Sequence, residues 1–350
     1  MHENVWYARH ARRILQERAT ARGPNGSAGT RSLLVAQLKD AKDTAHVLRS
    51  MWALHVTGGV PELLVAGRGP VAAAWTVRLL QDEGKVVPSE ELARLTSRNP
   101  SPVYRRFVAS ALARYAPDER WDTLASLASH PEDATDHNLP HLYWYAAEPL
   151  AGVDAPRALT LAADAKVPQL LPLMARRIGA AGTPGAVDLL VKSAGESGDA
   201  AKQLALLVGL QEGLKGKRQF PMPGGWTAAF PVLLKSASPD VRSRAQALAV
   251  VFGDKTAFAA LRTVVADAKA DAGARTAALA SLVDARDAEL VPVLHALVRD
   301  GALRGAALRG LAAFDAETTP GVVLAGYAAY TPAEKRDALA TLAARAPYAK

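Results

Sequence analysis

Three stretches of this chain, SPDVRSRAQALAVVF (238–252), DAGARTAALASLVDA (271–285) and DGALRGAALRGLAAF (300–314), carry one pattern three times. Asp240-Val241-Arg242 is followed by Ala245, Leu248 and Phe252. Ala274-Arg275 is followed by Ala278, Leu282 and Ala285, and Leu303-Arg304 by Ala307, Leu311 and Phe314. Apolar residues at i, i+4, i+7 or i+8, and i+11 form one stripe of an α-helix. Arg275 follows Arg242 by 33 residues and precedes Arg304 by 29, a period in the range of helical-repeat arrays. A second landmark has the same rhythm: Phe230-Pro231-Val232-Leu233 and Val291-Pro292-Val293-Leu294 lie 61 residues apart, two periods.

Outward from this core the reading extends in both directions. A helix over residues 4–18 places Val5, Ala8, Ala11 and Leu15 inward, as if it were the second helix of a pair. Stripes recur at Val71, Trp75 and Leu79 and at Val103, Phe107 and Ala111. Helices are expected over 155–165, 167–181, 185–193 and 200–214. Thr331-Pro332-Ala333-Glu334 has the form of a capping box, with the Thr oxygen at the N-cap and Glu three residues on. Irregular insertions are expected near 22–30, 131–140 and 215–226, where Gly, Pro and Asn cluster. No strand-like alternation of useful length occurs. The expected fold is all-α: a right-handed α-α superhelix, a HEAT-like or armadillo-type solenoid of about ten helix pairs, running as one domain over 1–350. Both ends look cut from something larger.

Composition narrows the chemistry. The 350 residues are 49% hydrophobic and only 6% aromatic, which suits close-packed helices. The chain has no cysteine, so disulfides, thiolate metal sites and haem attachment within it are excluded. No window of 18 apolar residues is present to insert into a membrane. The net charge of +8 could serve nucleic acid, but acidic residues intersperse the basic ones instead of leaving a basic stripe. Arg242, Arg275 and Arg304 recur just after the first stripe residue. They are expected at the seam between repeats, bonding carbonyls or an Asp of the adjacent pair.

No nucleophile elbow, glycine-rich phosphate loop or HExxH pattern occurs, so no catalytic, cofactor-binding or metal residue is assigned. His137 and His141 are four apart, but Pro140 argues against one helix carrying both as metal ligands. The candidate interaction surface is the aromatic run after it: His141, Tyr143, Trp144, Tyr145 and Glu148. Three successive aromatics point about 100° apart on a helix, so they cannot all face one core. Lys217 and Arg218, with Trp226, form a second candidate, able to dock an acidic or aromatic partner.

ENVWYARHARRILQER (3–18), MWALHVTGG (51–59), HNLPHLYWYAAEPL (137–150) and TPAEKRDALATLAARAPYAK (331–350) occur in this order. Together they resemble the helical-repeat region of large bacterial membrane-bound dehydrogenase or haem-binding CxxCH proteins. In that family a β-propeller precedes the repeats and a c-type cytochrome domain follows them. The resemblance implies a connecting scaffold, an extracytoplasmic (periplasmic) setting, and protein partners or neighbouring domains of a larger chain. It carries over no catalytic residue, because neither propeller nor CxxCH is present here. The leading expectation is therefore a non-catalytic scaffold. The alternative is a nucleic-acid-binding HEAT-like protein of the DNA-glycosylase kind, and a third reading is an accessory repeat protein binding a tetrapyrrole.

Overall fold

A computed structural model of the chain describes residues 4–23, 28–60, 68–216, 219–345 and 348. Helices, α with a few short 3-10 turns, are the only regular elements among these residues. The chain divides into two compact units, Met1–Arg177 and Ile178–Lys350, with the helix Leu170–Ala180 at the division.

In the first unit the helices Val5–Arg22, Ala28–Asp40, Thr44–Val56, Pro70–Asp82, Ser89–Arg98, Pro102–Leu112, Trp121–Ala128 and Leu139–Ala147 succeed one another. Pro70–Asp82 packs on Pro102–Leu112, and that helix on Leu139–Ala147; Ser89–Arg98 packs on Trp121–Ala128. Val5–Arg22 likewise packs on Thr44–Val56, two places on, whereas Ala28–Asp40 and Pro70–Asp82 meet Thr44–Val56 as immediate neighbours. The segment expected to start at Pro61 lies outside the described residues.

The second unit repeats this arrangement. Ala200–Gly213, Pro239–Val251, Ala272–Asp284, Arg304–Leu311 and Pro332–Ala343 pack in that order, each on the next. The alternate helices Pro184–Glu196 and Trp226–Leu234, and then Lys255–Ala266, Val291–Leu297 and Thr319–Gly326, form their own successions.

Local sequence explains where these helices begin. Asp43, Asp154, Thr183, Asp199, Ser238, Asp254, Asp271 and Thr331 each accept a backbone N–H from the first turn of the following helix. Such caps satisfy donors that an isolated helix end leaves unpaired. The capping box at Thr331 and Glu334 is present in both directions. The paired landmarks fall on matching helices, Trp226–Leu234 and Val291–Leu297. Pro231 lies inside its helix, whereas a 3-10 turn precedes Pro292.

The stripes are the core. Val241, Ala245, Leu248, Phe252, Ala278, Leu282, Ala285, Leu303, Ala307, Leu311 and Phe314 are all buried. Ala274 is exposed, and the buried member there is Arg275. Helix approach is closest where residues are smallest: a Cβ placed on Gly195 would lie 2.6 Å from the Cβ of Ala229 and 2.8 Å from its Cα. The first helix departs from expectation. Val5 and Ala11 are exposed, Ala8 and Leu15 only half-buried, and no residue of Val5–Arg22 is buried. It leans on Thr44–Val56 across an open space instead of packing flush.

Two substitutions test this packing. Ala245→Leu and Gly195→Ala should each lower stability by about 1–3 kcal/mol through overpacking. Thermal melts of the two variants, with Ala274→Leu as the exposed control, should show the first two shifted down and the control unmoved.

Candidate functional site

The most elaborate side-chain constellation starts from one helix position. In Pro102–Leu112, Ser101 precedes the helix and Pro102 takes its first turn, where no N–H is needed. Arg105, one turn in, is completely buried. Its guanidinium donates to Asn99 O at 3.3 Å, in the loop before its own helix. It also grips both carboxylate oxygens of Asp133, at 2.6 Å each. Asp133 lies on a 3-10 turn, Pro131–Thr135, set up by Pro131 and closed by the Asp136 N–H on Asp133 O. Tyr143 then donates its hydroxyl to Asp133 Oδ2 at 2.5 Å. Burial and the neighbouring Asp133 carboxylate push the Tyr143 hydroxyl pKa well up, so it stays a donor. A bidentate buried pair of this kind is directional and intolerant of losing one partner.

The same position recurs in the second unit. Gln203 donates to Ser197 O at 2.8 Å, six residues back, and accepts from Ser236 Oγ, 33 residues on, at 2.9 Å. Arg242 donates to Ser236 O at 2.7 Å. Arg275 donates to Val265 O and, at 2.7 Å, to Asp300. Arg304 donates to Val298 O at 2.8 Å and to Glu334 at 3.3 Å. The guanidinium of Arg275 and two backbone amides hold the Asp300 carboxyl below its ordinary range. Of the three arginines expected at a seam, Arg275 and Arg304 reach a carboxylate 25 and 30 residues on, whereas the bonds of Arg242 go to Ser236 and Ala237, just before its own helix. Arg105, Gln203 and Asp133 went unread because the partners lie 28 to 33 residues apart, one of them in a segment read as irregular.

The aromatic helix divides as 100° steps require. Tyr143 is buried, Trp144 half-buried, and Tyr145 is 64% exposed. His141 is exposed, and Glu148 pairs with Arg177 at 3.3 Å. The surface offered by this run is therefore His141, Tyr145 and parts of Trp144 and Glu148, with Tyr143 a core residue. Lys217 and Arg218 lie outside the described residues. Trp226 presents no surface: it is fully buried, stacked on Phe230 and edge-on to Phe252. Its indole donates to Asp254 Oδ2 at 2.9 Å. Asp254 is placed by Gly253 (φ 65°), which closes the preceding helix with the Asp254 N–H on Ala249 O. The other Asp254 oxygen caps Lys255–Ala266. Burial alone would raise the Asp254 carboxyl, but the Thr256 and Trp226 bonds outweigh it and hold it low.

A different feature had no signal in the sequence. Between the first helix and Ala28–Asp40, Thr44–Val56 and Pro70–Asp82 lies an open cavity of about 1070 Å³. Trp52 and Trp75 meet edge-to-face at 5.0 Å in its wall, with Leu48 and Leu79 beside them. Arg9, His10 and Arg12 line it from the first helix, and Arg12 sits over the Trp52 ring at 5.3 Å. Gln37, Arg49, His55 and Asp82 add polar lining from the other helices. His55 Nδ1 is bonded to Glu83 at 2.9 Å, and Asp82 already takes Arg78 at 3.1 Å and Arg114 at 3.4 Å. Among the described residues no group of three or more metal-ligating side chains forms.

No protein-family model matches this chain, and no curated protein or solved structure matches it either.

Two sets of variants probe these constellations. Asp133→Ala should cost about 3 kcal/mol, because the buried guanidinium keeps only the Asn99 carbonyl and the exposed Glu132 carboxylate and the Tyr143 hydroxyl loses its acceptor. Arg105→Met with Asp133→Leu and Tyr143→Phe should recover most of that loss in urea denaturation, since hydrophobic replacement removes the stranded charge and hydroxyl. Asp254 has a folded pKa below its unfolded value of 3.8. Its stabilisation is therefore complete above the unfolded pKa and fades as pH falls through the folded one. Asp254→Asn should be less stable by about 1.5 kcal/mol at pH 7, the scale of hydrogen bonds to a charged group. In parallel denaturation curves that difference should shrink as pH falls below 3.8.

Proposed function

We propose that this chain is a non-catalytic helical-repeat scaffold, a HEAT-like α-solenoid whose stacked helix pairs hold other protein domains in place. The observation that supports this best is a clasp that recurs near the start of several helices. Arg105, Gln203 and Arg304 tie the loop before their own helix, and Arg275 the end of the preceding helix, to a residue 25 to 33 further on. A side chain spent this way joins one helix pair to the next, and stability then accumulates from nearest-neighbour interfaces. The partner is a neighbouring domain of a larger bacterial protein of the propeller–repeat–cytochrome kind that the sequence resembles. The exposed face of the aromatic helix, His141 and Tyr145, is its docking point on this reading. Exposed aromatics on a rigid helix suit a binding hot spot.

The nucleic-acid reading is disfavoured by where the arginines are spent. Arg105 and Arg275 are buried on carboxylates, Arg120 is buried on the carbonyls of Tyr115 and Ala146, and Arg262 and Arg309 are paired with Asp287 and Asp337. These arginines are committed to the protein's own carboxylates and carbonyls.

The two readings separate cleanly in solution. Fluorescence anisotropy with a labelled DNA duplex between 50 and 300 mM salt should give at most weak binding. A steep log–log salt slope, as phosphate contacts produce, would favour the nucleic-acid alternative. Titration with purified propeller and cytochrome domains of such a protein should give a complex that Tyr145→Ala weakens at least tenfold. If neither domain binds, the docking assignment fails.

A further inference from the structure

The cavity under the first helix is lined by two surfaces of different chemistry. One is apolar: the Trp52–Trp75 pair, with Leu48 and Leu79. The other is cationic: Arg9 and Arg12, one turn apart on the first helix, with Arg49 of Thr44–Val56 also in the lining. The carboxylate within the lining, Asp82, is held by Arg78 and Arg114 on its own side of the space. No ion pair joins Arg9 or Arg12 to an acidic group among the described residues, and Arg12 instead lies over the Trp52 ring. A guanidinium fixed at the edge of an aromatic wall offers both a bidentate carboxylate contact and an apolar bed for what the carboxylate is attached to.

We propose that this cavity binds an amphipathic organic anion, a carboxylate carried on a long aliphatic or flat aromatic body. The head sits on Arg9 and Arg12, and the body lies along Trp52, Trp75 and Leu79. The volume of about 1070 Å³ is at the upper end for small-molecule sites, enough for a chain of a dozen carbons with water to spare. The open packing of the first helix follows from the same arrangement, since Val5–Arg22 has no buried residue of its own and borders the space that a ligand fills. The site does not depend on the scaffold reading, and either can fail without the other.

The test uses the full chain and dodecanoate below its micellar concentration, with dodecan-1-ol and dodecyltrimethylammonium as head-group controls. Calorimetry should show one saturable dodecanoate site, at least tenfold tighter than the alcohol, and no binding of the cation. Arg9→Gln with Arg12→Gln should erase the preference for the anion, leaving the alcohol unchanged. Both positions are solvent-accessible, and far-ultraviolet circular dichroism checks that the fold survives. Ala45→Trp, which projects a ring from the cavity lining, should abolish binding of both dodecyl compounds. Equal affinity for acid and alcohol, no saturable binding, or undiminished binding in Ala45→Trp would each overturn the assignment.

Discussion

The interaction on which this structure leans is a side chain near the start of a helix that reaches backward to a preceding backbone carbonyl and onward to a residue about thirty positions later. Alanine-rich helices of ten to fourteen residues bury too little to stand alone. Their apolar stripes bring neighbours into contact, but an alanine surface is smooth and says little about register. A buried Arg105 clamped on Asp133 does specify register, because both oxygens must be met and no water is available to substitute. Gln203 achieves a neutral version with Ser236. The arrangement is thus set by polar geometry while its stability comes from the stripes.

The carboxylates and hydroxyls around these clasps have a second task. Asp254 caps Lys255–Ala266 and anchors Trp226 from the helix two places earlier, and Glu334 serves the Thr331 capping box while meeting Arg304. Helix initiation and helix-to-helix attachment therefore share atoms. A cap cannot be lost here without loosening a neighbour.

Much of this was legible in the sequence. The stripes at 241–252, 274–285 and 303–314 identified core positions almost residue by residue, because helix periodicity reports burial directly. The seam arginines were legible because they recur at one offset from the stripe. Arg105 and Asp133 were not, since the acid sits on a Pro131 turn that reads as loop and takes its meaning only from a residue 28 positions earlier. Trp226 was misread as a possible surface aromatic: its position after PMPGG suggested exposure, while Asp254 and Phe252 claim it for the core. The inward face assigned to the first helix also went astray, because periodicity tells which side is apolar and not whether anything fills the space beneath it. The cavity there is assembled by four helices and left no local mark.

The reach of the bonds limits how far a disturbance travels. The side-chain clasps span 25 to 33 residues, and the contact of Asp188 with the Gly225 amide covers 37. Cohesion is thus passed between elements close in the chain, so that a lost joint loosens its neighbours and leaves distant elements held as before.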